Sequence, residues 1–126
     1  MAMEKITAIT QYDYYWHDAI LRSVFFEWRE QFTLTLDLIL VEGGEHQLRF
    51  VDICKYKIDF NCMISSIDTI RNFKISPANS MIMCDMHIND FHQQQFRHIE
   101  EYQYVEIEMN TSGSQIKILA KEIDMS

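Results

Sequence analysis

Little punctuates this chain, which has three glycines and one proline in 126 residues. Turns that need a positive φ must fall at Gly43-Gly44 and Gly113, or recruit Asn, Asp and Ser, which reach such angles at modest cost. A phosphate-cradling loop has almost no material to be built from, and none of the patterns G-x-x-x-x-G-K, G-x-G-x-x-G, G-x-S-x-G or H-E-x-x-H occurs. Cysteine is also scarce. Cys54, Cys62 and Cys84 are odd in number and lack the dense, even spacing of a secreted disulfide scaffold, which points to reduced thiols and a cytoplasmic address. Basic residues are outnumbered, 11 against 19 acidic ones, and the formal charge of −8 would repel a phosphate backbone. Nucleic acid is therefore not an expected ligand, whereas encounter with a basic protein would be accelerated. No apolar run approaches the roughly 18 residues of a membrane span, and Met1 to Thr7 shows neither the basic nor the apolar region of a secretion signal. No membrane association is expected.

Apolar and aromatic residues are plentiful. Hydrophobic side chains make up 48% of the chain and aromatics 13%, enough for a packed core in a single domain over 1–126. Phe32 to Leu40 alternates strictly, with Phe32, Leu34, Leu36, Leu38 and Leu40 on one parity, the signature of a half-buried strand. Ile20 to Trp28 is apolar on both parities, which predicts a central or doubly covered strand. Arg29-Glu30-Gln31 and Glu42 to Glu45 are reversals of hairpin length, and His46 to Phe50, extendable to Ile53, is a third strand. Connections this short predict an antiparallel meander. Tyr56 to Phe60 is a further strand or a bend.

Met63, Ile64, Ile67 and Ile70 share a helical face, so a short helix is predicted within Cys62–Ile75, against the β-branched content of that stretch. Ser76 to Ser80 reads as a loop, Met81 to Ile88 as a strand, and Phe91 to Glu100 as a helix opened by an Asp90/Gln93 capping box. A last hairpin joins Tyr104–Met109 to Gln115–Ile123 through the turn-rich Asn110 to Ser114. The expected class is α+β: mainly an antiparallel meander sheet with one or two short helices packed on it.

Candidate chemistry is sparse. His17-Asp18 has the composition of a base and its orienting carboxylate, but on an extended chain adjacent side chains face apart, which favours backbone capping roles over a dyad. Cys84, Asp85, His87, His92 and His98 could supply metal ligands, yet their spacing departs from the two tight pairs of a structural zinc site, and His92 falls on the apolar arc of its predicted helix. No metal or cofactor is expected. Cys54 and Cys62 flank Lys55 and Lys57, whose charge would activate a thiol, while buried inert thiols are the commoner case. Tyr12, Tyr14, Tyr15 and Trp16 form the candidate interface, since Tyr and Trp are enriched at binding hot spots; packing across the sheet is the competing role.

Trp16-His17-Asp18-Ala19-x-Leu21, the apolar strand ending at Trp28, the Phe32–Leu40 ladder and Leu48-Arg49-Phe50 together resemble a loose family of small bacterial proteins with an aromatic-His-Asp-small-x-Leu lead-in to a β-meander. The resemblance covers residues 14 to 60. Some members are regarded as immunity proteins of polymorphic toxin systems, and the resemblance implies a non-enzymatic protein that binds and blocks a toxin domain, a basic one by charge. Two alternatives stay open. One is a small ligand-binding or metal-dependent enzyme domain using His17 and Asp18 or the Cys84–His98 segment. The other is a self-associating module, a homodimer packed through Ile20–Trp28.

Overall fold

A computed structural model describes residues 4–28, 30–60, 68–79, 82 and 101–126. Seven strands follow in chain order: β1 (Glu4–Lys5), β2 (Ile20–Trp28), β3 (Phe32–Leu40), β4 (Gly44–Asp59), β5 (Ile70–Pro77), β6 (Gln103–Met109) and β7 (Gln115–Met125), with a 3₁₀ turn at Thr10–Asp13. All pairings are antiparallel, in the order β2-β3-β4-β7-β6-β5, with β1 laid on the end of β7.

The meander forms where the alternation predicts it. Leu34, Leu36, Leu38 and Leu40 all point inward, and β3 pairs β4 from Leu40↔Gly44 to Thr33↔Val51. Gly43 and Gly44 turn the chain at φ values of 113° and 77°, which only glycine adopts without strain. The predicted third strand proves much longer. Asp52 takes φ 57° and the β4–β7 register shifts between Ile53 and Lys55, so a bulge bends β4 and carries it on to Asp59. Tyr56 thus belongs to the same strand as His46. Beyond the bend β4 has β7 as its ladder partner, and β7 carries β6 and β5 on its other side.

The curl brings the two sheet edges together at one end. Asp18 N–H donates to Ile70 O at 2.7 Å, Ile70 N–H donates to Ala19 O at 2.8 Å, and Ile20 bridges Thr69. The result is a partly closed barrel. Its apolar interior joins Leu34, Leu36, Leu38, Leu48 and Phe50 to Ile70, Val105, Ile107, Ile116 and Ile118 in one cluster. Burial of each such side chain stabilises the fold by about 1.5–3 kcal/mol relative to exposure. A smaller cluster of Ala78, Tyr104 and Leu119, with Cys54, Ile82 and Tyr102 beside it, lies apart from this interior.

Three expectations are corrected. β2 is an edge strand, and most of it is exposed rather than central or doubly covered; on its second face Phe25 is open to solvent. The helix predicted within Cys62–Ile75 fails over Ile70–Ile75, which pairs with β6 as β5: a long-range partner and β-branched residues override a chance helical periodicity, while 62–67 lie outside the described residues. Ser76 and Pro77 close β5 rather than opening a loop, proline sitting at a strand end where its missing N–H costs least. The expected strand over Met81–Ile88, apart from Ile82, and the helix over Phe91–Glu100 also lie outside the described residues. Among the described residues the domain is mainly antiparallel β, so the helical part of the α+β expectation is not met there. No helix among them is long and apolar enough to cross a membrane.

Candidate functional site

The N-terminal strap closes one end of the barrel. Ile6 N–H donates to Ile123 O at 2.8 Å, and Thr7 tightens the following turn by accepting from the N–H groups of Ile9 and Thr10. Gln11 is buried against the free edge of β5. Its amide nitrogen donates to Ile75 O and its amide oxygen accepts from Ile75 N–H, both at 2.8 Å, so one side chain replaces a neighbouring strand. Trp16 follows it inward: its indole N–H donates to Gln11 O at 2.8 Å and its ring stacks on Phe73 at 4.0 Å.

This geometry divides the four candidate interface residues. Trp16 is 7% exposed and part of the core, so it cannot anchor a partner; an aromatic this large is worth more packed on Phe73 than displayed. Tyr14 packs beside it, and its hydroxyl donates to the Glu4 carboxylate. That hydrogen bond, with burial second, pushes its pKa up to about 12. Tyr12 and Tyr15 remain on the surface, 77% and 51% exposed.

His17 and Asp18 do meet, contrary to the extended-chain expectation. Asp18 adopts φ 66° in a turn, which swings its carboxylate to 3.1 Å from His17 Nδ1. Both side chains are about half exposed. The other carboxylate oxygen accepts from the Asn110 side-chain amide at 3.1 Å, and that amide also lies 2.9 Å from Thr69 Oγ1. The pair therefore belongs to a clasp joining the start of β2, the start of β5 and the β6–β7 loop.

Asp68 anchors the same clasp from below. One oxygen accepts from the N–H groups of Thr69 and Thr111 at 2.9 Å, the other from Ser112 N–H at 3.1 Å and from the Ser112 hydroxyl. Burial opposes its charge, but the donors from Ser112, Thr111 and Thr69 outweigh burial and hold the carboxyl below its ordinary range.

The opposite end displays what the strap hides. Phe26 and Phe32 stack at 5.6 Å, Tyr56 lies 5.1 Å from Phe26 and 5.7 Å from Phe32, and Trp28 lies 5.3 Å from Phe32. Phe26 pairs with Leu34 and Trp28 with Phe32, so these rings continue the interior face beyond the part of the barrel that the opposing strands cover. Trp28 is 74% exposed, and Phe26 and Tyr56 are nearly half exposed. The apolar parities of Ile20–Trp28, which predict cover on both faces, do not distinguish this surface from a core. The available signal was that the apolar parity runs to the very tip of the hairpin, across the polar reversal at 29–31.

The remaining candidates separate. Cys54 is half-buried, and burial first, with Asp52 second, pushes its thiol up to about 11 against the opposing pull of Lys55, which favours the protonated thiol at neutral pH. Cys62, Cys84, Asp85, His87, His92 and His98 lie outside the described residues. Among the described residues no group of three His, Cys, Asp or Glu side chains is placed to hold a metal ion. A depression of about 410 Å³ lined by Lys5, Glu101, Lys121 and Glu122 lies over β7 with a charged rim, unlike the apolar lining typical of small-molecule sites.

The fold thus defines an antiparallel, partly closed β-barrel domain, and one solved structure shares it. That structure, described as an uncharacterized protein from Neisseria gonorrhoeae, is 16% identical, with a TM-score of 0.54, over 100% of this chain and 98% of the other. At that identity the likeness concerns the fold alone. No protein-family model matches the chain, and no curated protein matches it.

Proposed function

We propose that this chain is a non-enzymatic protein-binding domain that presents Phe26, Trp28, Phe32 and Tyr56 to a protein partner. The observation that carries the reading is the contiguous, solvent-facing ring cluster at the open end of an otherwise well-buried core. Exposed aromatics joined in one patch mark interaction surfaces, and Trp and Tyr dominate binding hot spots. The chemistry at the other end supports a scaffold role, since the Asp18 carboxylate is bonded into the clasp with Asn110.

The finer form of the proposal is an immunity-type inhibitor acting in the cytoplasm. Its support is the resemblance of residues 14 to 60 to a family that includes such proteins, together with the charge of −8, which suits a basic toxin domain. The test is co-purification from the native host, followed by a protection assay against any toxin encoded beside the gene. A stoichiometric partner retained by the wild type and lost by Trp28→Ser at unchanged fold is the expected result. A partner held equally by that variant would overturn the ring surface, and failure to protect against an adjacent toxin would overturn the inhibitor form.

One observation favours a second reading. His17 and Asp18 are in contact, as a general base and its orienting carboxylate would be. That reading requires a reaction abolished by His17→Ala in a protein of unchanged melting temperature.

A further inference from the structure

The charge of −8 is not spread evenly over the barrel. Four of the chain's six lysines, Lys55, Lys57, Lys74 and Lys117, gather on the outer face of the half-sheet β4-β7-β6-β5. The register sets Lys57 opposite Lys117, Lys117 opposite Glu106, and Glu106 opposite Lys74, in one row across four strands; Lys55 lies two residues back along β4, opposite Leu119. Ile58, Ile118, Ile107 and Ile75, their neighbours in sequence, pack into the barrel interior, so strand alternation sends the row outward. Lys57, Lys74 and Glu106 are exposed, while Lys55 and Lys117 are half-buried. Lys5 and Lys121 are paired with Glu122 and Glu101, whereas none of the four lysines makes an ion pair among the described residues.

Lys57 against Lys117 works against the fold. Directly opposed residues have Cβ atoms about 5 Å apart, and like charges there destabilise the pairing. Glu106 lies between Lys117 and Lys74 and forms an ion pair with neither. We infer that this lysine row is a docking face for an acidic segment of a protein partner, an extended stretch whose carboxylates neutralise Lys55, Lys57 and Lys117.

Spacing and charge select that occupant. Lys55 and Lys57 stand about 6.8 Å apart along β4, the repeat of alternate residues in any extended chain, so acidic residues at every second position of the partner match them group for group. The face is the open outer side of a sheet, not the concave and largely apolar site that takes a small ligand. Arginine, whose fork reads phosphate, is missing from the row, and Arg71 beside it is engaged by Glu108 at 3.5 Å. A long polyanion such as nucleic acid, or a charged membrane surface, would reach past the row and meet the net negative field of the chain. A short segment stays within the ~8 Å over which the local lysines dominate.

The test uses the purified chain and a defined peptide, so it does not rest on the proposed function. The probe is fluorescently labelled Glu-Thr-Glu-Thr-Glu-Thr-Glu, followed by anisotropy at low and at physiological salt. Saturable binding that weakens with salt is expected. Lys57→Glu and Lys55→Glu should each weaken it by roughly fivefold or more. Lys5→Glu, the same change of charge at a position roughly 20 Å further along β7, should alter it by less than about twofold. Lys57→Glu should also raise the melting temperature of the free chain by about 1–4 °C, because a facing pair of like charges becomes an opposite pair. Absence of peptide binding at low salt overturns the proposal, as does an equal loss with Lys5→Glu or a melting temperature that falls in Lys57→Glu. Tighter binding of duplex DNA, inorganic pyrophosphate or phosphatidylserine vesicles than of the peptide, abolished by the same Lys57→Glu, overturns the choice of an acidic protein segment.

Discussion

The two ends of this barrel are built from similar residues and do opposite things. At the strap end, Trp16 is drawn inward by an indole hydrogen bond and a stack on Phe73, Gln11 completes the β5 edge, and Asp68 gathers the surrounding backbone donors. At the hairpin end Trp28 stands in solvent beside Phe26, Phe32 and Tyr56. The contrast teaches that an aromatic's role is set by what its neighbours leave unsatisfied: the strap has backbone groups and a gap to fill, while the hairpin tip extends past its cover.

Substitutions should separate the ends by their cost in stability. The largest effect belongs to Trp16→Ala, which empties the space above Phe73 and should destabilise by about 3–5 kcal/mol; denaturant unfolding measures it. Gln11→Leu keeps the volume but orphans the N–H and C=O of Ile75, at about 2–3 kcal/mol by the same measurement.

Asp68→Asn should come next, at roughly 1–2 kcal/mol near neutral pH, because the bonds kept by the amide oxygen lose their charge and the amide nitrogen cannot accept from the N–H groups that the second carboxylate oxygen served. Its pH dependence is defined by sign. The folded carboxyl lies below its unfolded value, so its contribution is complete above the ordinary carboxylate range of about 4 and is lost as pH falls through the lower folded value. Acid unfolding of wild type and Asp68→Asn should therefore converge as that window is crossed. Curves that stay parallel would remove Asp68 from the clasp. The smallest effect belongs to Trp28→Ser, expected within about 0.5 kcal/mol because the ring is mostly exposed. A cost there as large as that of Trp16→Ala would abolish the distinction between the ends.

Much of this architecture is legible in the sequence. The parity of Leu34 to Leu40 and of Val105, Ile107, Ile116 and Ile118 reports strands because one face of each is buried and period 2 is the only pattern that satisfies it. Ile70 to Ile75 misleads because its strand is defined by β6, a partner distant in sequence, and local spacing carries no record of it. The contact between His17 and Asp18 depends on a single φ of 66° at a non-glycine residue, which nothing in the neighbouring residues announces. Ring identity alone does not separate the aromatics of the strap end from those of the hairpin end. Which rings are covered is decided by where the sheet curls, and β4 bends at the bulge between Ile53 and Lys55, beside the positive φ of Asp52.

The central claim is that the hairpin end, not the strap end, meets the partner. Its most direct test is quantitative capture of the host protein retained by wild type, using Trp28→Ser and the double variant Tyr12→Ser/Tyr15→Ser at matched melting temperature. The account predicts that Trp28→Ser loses the partner and the tyrosine variant keeps it. Loss with the tyrosine variant and retention with Trp28→Ser would contradict it.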